Sequence, residues 1–439
     1  MQIGGMLMKI GMVSLGCSKN LVDSEKIMGM LTGAGHEIVN EAKQAEVIFV
    51  NTCGFINPAK EEAISTILEM IDYKKDKCRL LIVVGCLAKR YKQELIDSLP
   101  EVDAVVGVDE YDRLDQILND LLGSNDIQSW QGCERKIATP GYTAYLKIAE
   151  GCSNRCHYCA IPLIRGNYRS VEMKALLSEA QTLAAAGVKE LILIAQDTTM
   201  YGIDLYRKRA LKDLLVELNK LPFTWIRVLY LYPDEIDKEL IDTMKACDKV
   251  LPYFDIPLQY GSDRMLGLMN RRGTTKSYKE TISYIREVFP NAVLRTTMMV
   301  GFPGEMKEDY EDMLSFMKEV RFDRLGAFVY SKEEDTVGYT MKPIVRKQTK
   351  ENRYAKLMKI QEEISLEKSQ ALVGTVLDIL IESKEPLTAR YRGRSIYSAP
   401  DQIDGFVLFT SKKEHKAGDF VKVKITKAFT HDLLGEELD

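Results

Sequence analysis

The chain reads as an α/β protein in three parts: an N-terminal domain on an open parallel sheet, a partial (β/α)6 barrel, and a small C-terminal β-barrel. Three observations lead there. Short apolar runs alternate with amphipathic segments over residues 9–122, and the alternation restarts at Thr143 to supply six more strands. From residue 372 the pattern changes to short β-rich runs separated by turns. The divisions fall at 1–124, a linker at 125–142, 143–371 and 372–439.

In order, the first part pairs Ile10–Leu15 with Leu21–Leu31, Val47–Val50 with Ala59–Ile71, Leu80–Val84 with Tyr91–Leu99, and Ala104–Val106 with Tyr111–Leu122. Strands and helices at this spacing make a parallel sheet covered by helices. Gly123-Ser124-Asn125-Asp126 and Thr139-Pro140-Gly141 bracket the linker with turn residues. The second part reads as strands Tyr145–Ile148, Glu190–Ala195, Trp225–Tyr232, Tyr253–Gln259, Val293–Val300 and Leu325–Tyr330. Helices Met173–Ala186, Leu211–Leu218, Glu235–Lys245, two further helical stretches and Glu308–Val320 lie between them. The working face of such a barrel is where its strands end. Lys347–Lys368 is one long helix with Tyr354, Leu357, Met358, Ile360 and Ile364 on roughly one face. Runs Val376–Ile381, Gly405–Phe409 and Phe420–Ile425, with turns at Asp404-Gly405 and Ala417-Gly418-Asp419, predict a five-stranded barrel.

The totals are those of an ordinary soluble protein: 46% hydrophobic, 28% charged, net charge −4. The balance argues against a partner bound by phosphate neutralisation over the whole surface. No apolar run reaches the roughly 18 residues of a membrane span, and the first residues lack the pattern of a signal peptide, so a cytoplasmic protein is expected. Met8, just ahead of the first strand, is the expected natural start. Nine cysteines in such a chain point to metal or reactivity rather than to disulfides.

Cys152, Cys156 and Cys159 form a CxxxCxxC run, Gly151-Cys152-Ser153-Asn154-Arg155-Cys156-His157-Tyr158-Cys159, after the first barrel strand. Three thiolates so close can hold an iron–sulfur cube at three corners and leave the fourth iron open. The alternatives are a structural zinc site, which needs four ligands and has only His157 as an extra candidate, or a redox dithiol. Cys17, Cys53 and Cys86 each follow a strand of the first part. In a parallel sheet the carboxyl ends line one edge, so these three converge as a second three-thiolate site; the alternative is three buried small hydrophobes. Cys78 and Cys133 have no such placement, and Cys247 reads as structural.

CxxxCxxC with an aromatic before the last cysteine resembles the signature of the radical S-adenosylmethionine (SAM) enzymes. The three strand-end cysteines and the C-terminal barrel narrow this: the chain resembles the radical SAM methylthiotransferases over nearly its whole length. Gly393-Arg394-Ser395, Ala399-Pro400, Ile403-Asp404-Gly405 and Gly418-Asp419-Phe420-Val421 look like landmarks of their last domain, the TRAM fold. Leu15-Gly16-Cys17-Ser18-Lys19-Asn20-Leu21-Val22-Asp23-Ser24-Glu25 and Asn51-Thr52-Cys53-Gly54-Phe55-Ile56 resemble the branch acting on ribosomal protein uS12. The branch acting on tRNA adenosines more typically has Gln-Met-Asn after its first cysteine, and a tRNA adenosine is the alternative substrate.

The resemblance implies two [4Fe-4S] clusters, on Cys152, Cys156 and Cys159 and on Cys17, Cys53 and Cys86, with SAM as cosubstrate and no catalytic side chain beyond these ligands. It implies that Tyr158, Gln196, Asp197, Gln259, Gly301 and Glu305 contact SAM. Turns and a first-turn helix acid are the plain readings of Gly301 and Glu305. The implied reaction places sulfur and a methyl group on the β-carbon of an aspartate in uS12, fed by an electron donor such as flavodoxin or ferredoxin. Residues 371–439 hold eleven acids against ten bases, which suits a basic protein partner better than tRNA, although Arg390, Arg392 and Arg394 could still meet RNA.

Overall fold

The computed structural model describes residues 7–123, 125–400 and 403–438. The leader ahead of Leu7 and Ser124 of the linker turn lie outside the described residues.

The first unit is a five-stranded parallel sheet of β1 (Lys9–Ser14), β2 (Glu37–Val39), β3 (Val47–Thr52), β4 (Leu80–Gly85) and β5 (Ala104–Gly107), in the order β2-β1-β3-β4-β5. Its helices are α1 (Ser18–Gly33), α2 (Asn57–Asp72), α3 (Cys86–Arg90), α4 (Lys92–Ser98) and α5 (Leu114–Leu122). The central strands are buried on both faces and accordingly read as unbroken apolar runs, IFV in β3 and LIVV in β4. Two details differ from expectation. β2 is a strand the sequence reading lacks, three residues being too few to show a period, and the single helix expected over 91–99 is preceded by α3, which opens on Cys86 itself. The linker is packed rather than free: Ile127 and Trp130 join the core, and Trp130 lies 4.8 Å from the Tyr111 ring.

The barrel strands are β6 (Thr143–Lys147), β9 (Glu190–Ile194), β10 (Trp225–Val228), β11 (Tyr253–Asp255), β12 (Val293–Val300) and β13 (Arg324–Val329); β7 (Ala149–Glu150) and β8 (Arg169–Ser170) pair beside them. Two parallel sheets, β6-β9-β10 and β11-β12-β13, meet where Ile226 pairs with Val250. Around them lie α6 (Ile161–Arg165), α7 (Met173–Ala185), α8 (Ile203–Tyr206), α9 (Leu211–Asn219), α10 (Lys238–Ala246), α11 (Asp263–Leu268), α12 (Thr275–Val288), α13 (Lys307–Val320) and α14 (Val337–Thr340). Leu176, Ala180 and Leu183 of α7 show the helical spacing that presses one face on the strands. α15 (Lys347–Gln370) packs on β13, but through Leu357, Gln361 and Ile364, while Tyr354 of the expected face is exposed.

The last unit closes as a five-stranded barrel of β14 (Val376–Lys384), β15 (Tyr391–Arg394), β16 (Val407–Thr410), β17 (Phe420–Ala428) and β18 (Leu433–Glu437). It docks where the central strands begin. Glu190, the first residue of β9 and fully buried, accepts from Arg394 at 2.6 Å and from Arg227 at 3.0 Å, and Trp225 meets Phe420 edge to face. Arg394 is therefore withdrawn from any surface that RNA could meet. Among the described residues no helix is long and apolar enough to cross a membrane.

Candidate active site

Residues 151–159 run from β7 to α6 without regular structure, shaped by their neighbours. Gly151 has φ +74°, and a Cβ there would collide with the Asn167 carbonyl oxygen, so the turn into the loop needs glycine. The Cys152 N–H donates to Gly166 O (3.1 Å) and the Cys159 N–H to Cys156 O (3.0 Å). His157, the extra zinc candidate, is tied to α11 and the residue after it: its backbone N–H donates to Met269 O at 3.0 Å, and Nδ1 lies 2.8 Å from Leu268 O. Burial pushes the Cys152 thiol up to about 11 and the Cys159 thiol further, so ligation here displaces protons.

Behind this loop stands Arg271, buried, with Nη1 3.9 Å from Cys156 Sγ and its guanidinium 4.1 Å above the Tyr232 ring. Nη2 donates to Pro257 O, while Nε is buried without a partner. A buried cation with an unused donor beside three thiols fits an anionic iron–sulfur group.

The second set sits at the edge of the N-terminal sheet. In the order β2-β1-β3-β4-β5 the connections diverge between β1 and β3, the crevice where open sheets bind ligands, and Cys17 and Cys53 leave the sheet on its two sides. Cys86 follows the next strand. A Cβ on Gly16 (φ +89°) would stand 2.9 Å from Cys53 Cβ, so glycine lets the first two cysteine segments approach. Asn20 ties the edge together, its Nδ2 donating to Leu15 O (3.0 Å) and Thr52 O (3.1 Å) while Oδ1 lies 3.6 Å from Cys86 Sγ. Cys17 is exposed; Cys86 is 5% exposed, and burial pushes its thiol up to about 12. Among the described residues no three His, Cys, Asp or Glu side chains stand close enough to share one metal ion.

One short segment joins the two sets. Ala160 and Ile164, directly after Cys159, pack on Cys86. Arg165, 4% exposed, donates to Glu150 (2.8 Å), to Asn20 Oδ1 (2.6 Å) and to Asp23 (3.0 Å). Lys147 completes the network, pairing with Asp23 and with Glu150 at 2.8 Å. Burial works against the charge on Glu150, but Lys147 and Arg165 outweigh it and hold the carboxyl below its usual range. On the far side, buried Glu333 of the barrel pairs with Arg90 (2.7 Å) and Lys60 (2.7 Å), and Arg90 also donates to Gly54 O beside Cys53 (3.1 Å). The N-terminal domain is thus clasped to the barrel at both ends of its cysteine edge.

The residues expected to contact SAM divide. Tyr158 is half-buried, with its ring edge-on to Phe302. Gln196 donates to Glu150 at 3.2 Å and keeps its buried Oε1 free, and Gln259, expected to end the fourth strand, lies four residues past β11 in an isolated bridge to Met298 at φ +73°. The Asp197 carboxylate is engaged by Asn154 (2.8 Å) and Thr199, so it holds the cysteine loop. Glu305 accepts the Gly301 N–H (2.6 Å) and pairs with Arg353, so Gly301 and Glu305 chiefly fix each other. Arg271, Arg165, Lys147 and Glu150 escaped sequence reading because most of their partners are far away in the chain.

A partial barrel with a three-cysteine loop at the carboxyl end of its first strand defines the class: this is a radical SAM enzyme, and the profile of the Radical SAM superfamily matches residues 146–317. Residues 9–107 match the uncharacterized protein family UPF0004 and residues 373–437 the TRAM domain. Among solved structures, the radical SAM methyltransferase TsrM from Kitasatospora setae, which holds cobalamin and a [4Fe-4S] cluster, superposes with TM-score 0.59 at 14% identity over 76% of this chain and 74% of that one, a likeness of fold alone. The chain belongs to the ribosomal protein uS12 methylthiotransferase (RimO) family. It is 47% identical to the member from Thermoanaerobacter sp. (strain X514) over 97% of this chain and 99% of that one. The Clostridioides difficile (strain 630) member is 46% identical over 98% and 99%.

Proposed function

We propose that this enzyme methylthiolates the β-carbon of an aspartate in ribosomal protein uS12, with Cys152, Cys156 and Cys159 holding one [4Fe-4S] cluster and Cys17, Cys53 and Cys86 the other. The observation that carries the reading is the packing of Cys86 on Ala160 and Ile164, which sets the sulfur-bearing edge against the radical-forming loop. When bound, the clusters and SAM supply what side chains cannot: an electron to cleave SAM, a radical to take the hydrogen, and sulfur and methyl to replace it.

The chain's own work is placement. Asp197, through Asn154, holds the cysteine loop on the barrel rim. Arg271 presents positive charge to Cys156, and Arg165 and Lys147 fix the distance between the two sets through Asp23 and Glu150. Tyr158, Gln196 and Gln259 remain the residues for SAM, with Gly301, Glu305 and Asp197 shaping the wall around it. A ribosomal substrate puts the work in the cytoplasm, and the electron comes from a small carrier such as flavodoxin or ferredoxin. The relatives reported above carry the uS12 name, so a tRNA adenosine is not favoured.

The test is the intact mass of uS12, with peptide mapping, from cells with and without this gene. One methylthio increment on an aspartate should vanish with the gene; an unchanged uS12 sinks the reading.

A further inference from the structure

The rim between the two cysteine sets carries a buried lysine with no acid to pair it. Lys19, in the first turn of α1 two residues after Cys17, is 5% exposed, and among the described residues it makes no ion pair or hydrogen bond. Its Nζ stands 2.9 Å from the centroid of the Tyr230 ring. The nearby acids are taken: Asp23 and Glu150 by Lys147 and Arg165, Asp255 by Arg295 and the Tyr230 N–H, Asp197 by Asn154 and Thr199. A ring face returns only part of what an ammonium loses on leaving water. An unpaired buried cation is an incomplete site.

The position is specific. Tyr230 follows β10 at the carboxyl ends of the barrel strands, with φ +61°, and its carbonyl accepts the Thr198 N–H at 3.0 Å. Backbone strain in a bulky residue, over-determined by its surroundings, gathers at working sites. The ammonium therefore lies on the rim that also carries Asp197 and, through Asn154, the cysteine loop.

We propose that Lys19 recognises the substrate: its ammonium takes the side-chain carboxylate of the target aspartate and so presents the adjacent β-carbon between the two cysteine sets. This rests on the aspartate reading above and adds the residue that tells an acid from its amide. Both the acid and its amide can accept from the ammonium, but only the acid adds an ion pair, and that difference gives a discrimination of about tenfold to a hundredfold.

The experiment is a double-mutant cycle on the cluster-loaded enzyme. The dissociation constants of uS12 and of uS12 with the target aspartate changed to asparagine are measured against the wild-type enzyme, Lys19→Met and Lys19→Arg, each matched for iron and acid-labile sulfide. Wild type should bind the aspartate form about tenfold to a hundredfold tighter, Lys19→Met should bind both forms alike, and Lys19→Arg should recover part of the preference. If Lys19→Met weakens both forms equally, or keeps the full preference, the inference is overturned. Should Lys19→Met lose its clusters, Lys19→Gln serves in its place with the same outcomes. The mass of uS12 after turnover by wild type separates the two claims: no methylthio group sinks the aspartate reading and this inference with it, whereas modification by wild type with an unchanged preference in the variant sinks this inference alone.

Discussion

The two cysteine sets each present three thiols, by opposite means. The barrel set is local: residues 152–159 form one loop, pinned by backbone hydrogen bonds and by Asn154 and Arg271. The N-terminal set is global, because Cys17, Cys53 and Cys86 meet only after three parallel strands pair in register, Ser14 beside Asn51 and Thr52 beside Gly85. A local site depends on its loop. A global one depends on the fold, and on the buried network that presses the N-terminal domain onto the barrel.

The largest effects should separate the sets by function. Cys156→Ala should abolish reductive cleavage of SAM, read as 5′-deoxyadenosine formed after chemical reduction; undiminished cleavage would remove the loop from its assigned role. Cys53→Ala should leave that cleavage in place and stop methylthio transfer to uS12, and a normally modified product would refute the second set. Next comes the bridge. Arg165→Met strands Asp23 and Glu150 with one cation between them, and breaking such a buried pairing costs about 3–5 kcal/mol. The variant should therefore melt earlier and lose iron from the N-terminal set before the barrel set; an unchanged melting temperature with full iron content would show that the bridge is not needed. The smallest effect is Gly16→Ala, which forces a side chain into φ +89° against Cys53 and should cost about 1–3 kcal/mol. Iron should fall in the N-terminal set alone, and loss from the barrel set as well would mean that the two are less separable than their construction suggests.

The same contrast governs what could be read from the amino acids. The CxxxCxxC loop is a contiguous pattern, so it was visible at once. The second set was visible only because its three cysteines occupy the same place in a repeating strand–helix unit. The longer strands and helices of all three units were legible from their periods; β2, β7, β8, β15 and β18, two to five residues each, were not placed, and neither were the short helices α3, α6, α8 and α14. Glu150 is three residues from Lys147, but the other acid of the network had no local signal, since Asp23 and Lys147 lie 124 residues apart. Asp197 and Glu305 stood where cofactor contacts were expected, yet their carboxylates face Asn154, Thr199, Arg353 and the Gly301 amide. Strand-end position alone cannot distinguish a ligand contact from a brace.

The Glu190 anchor acts as a ruler. It fastens the C-terminal barrel at the start of β9, and Asp197, seven residues along the same strand line, marks the catalytic rim. At about 3.3 Å per residue β9 alone holds the two apart by roughly 13 Å. A substrate held on the outer surface of that docked barrel would have to span the central strands to reach the rim, which a stretch of chain does and a free amino acid does not.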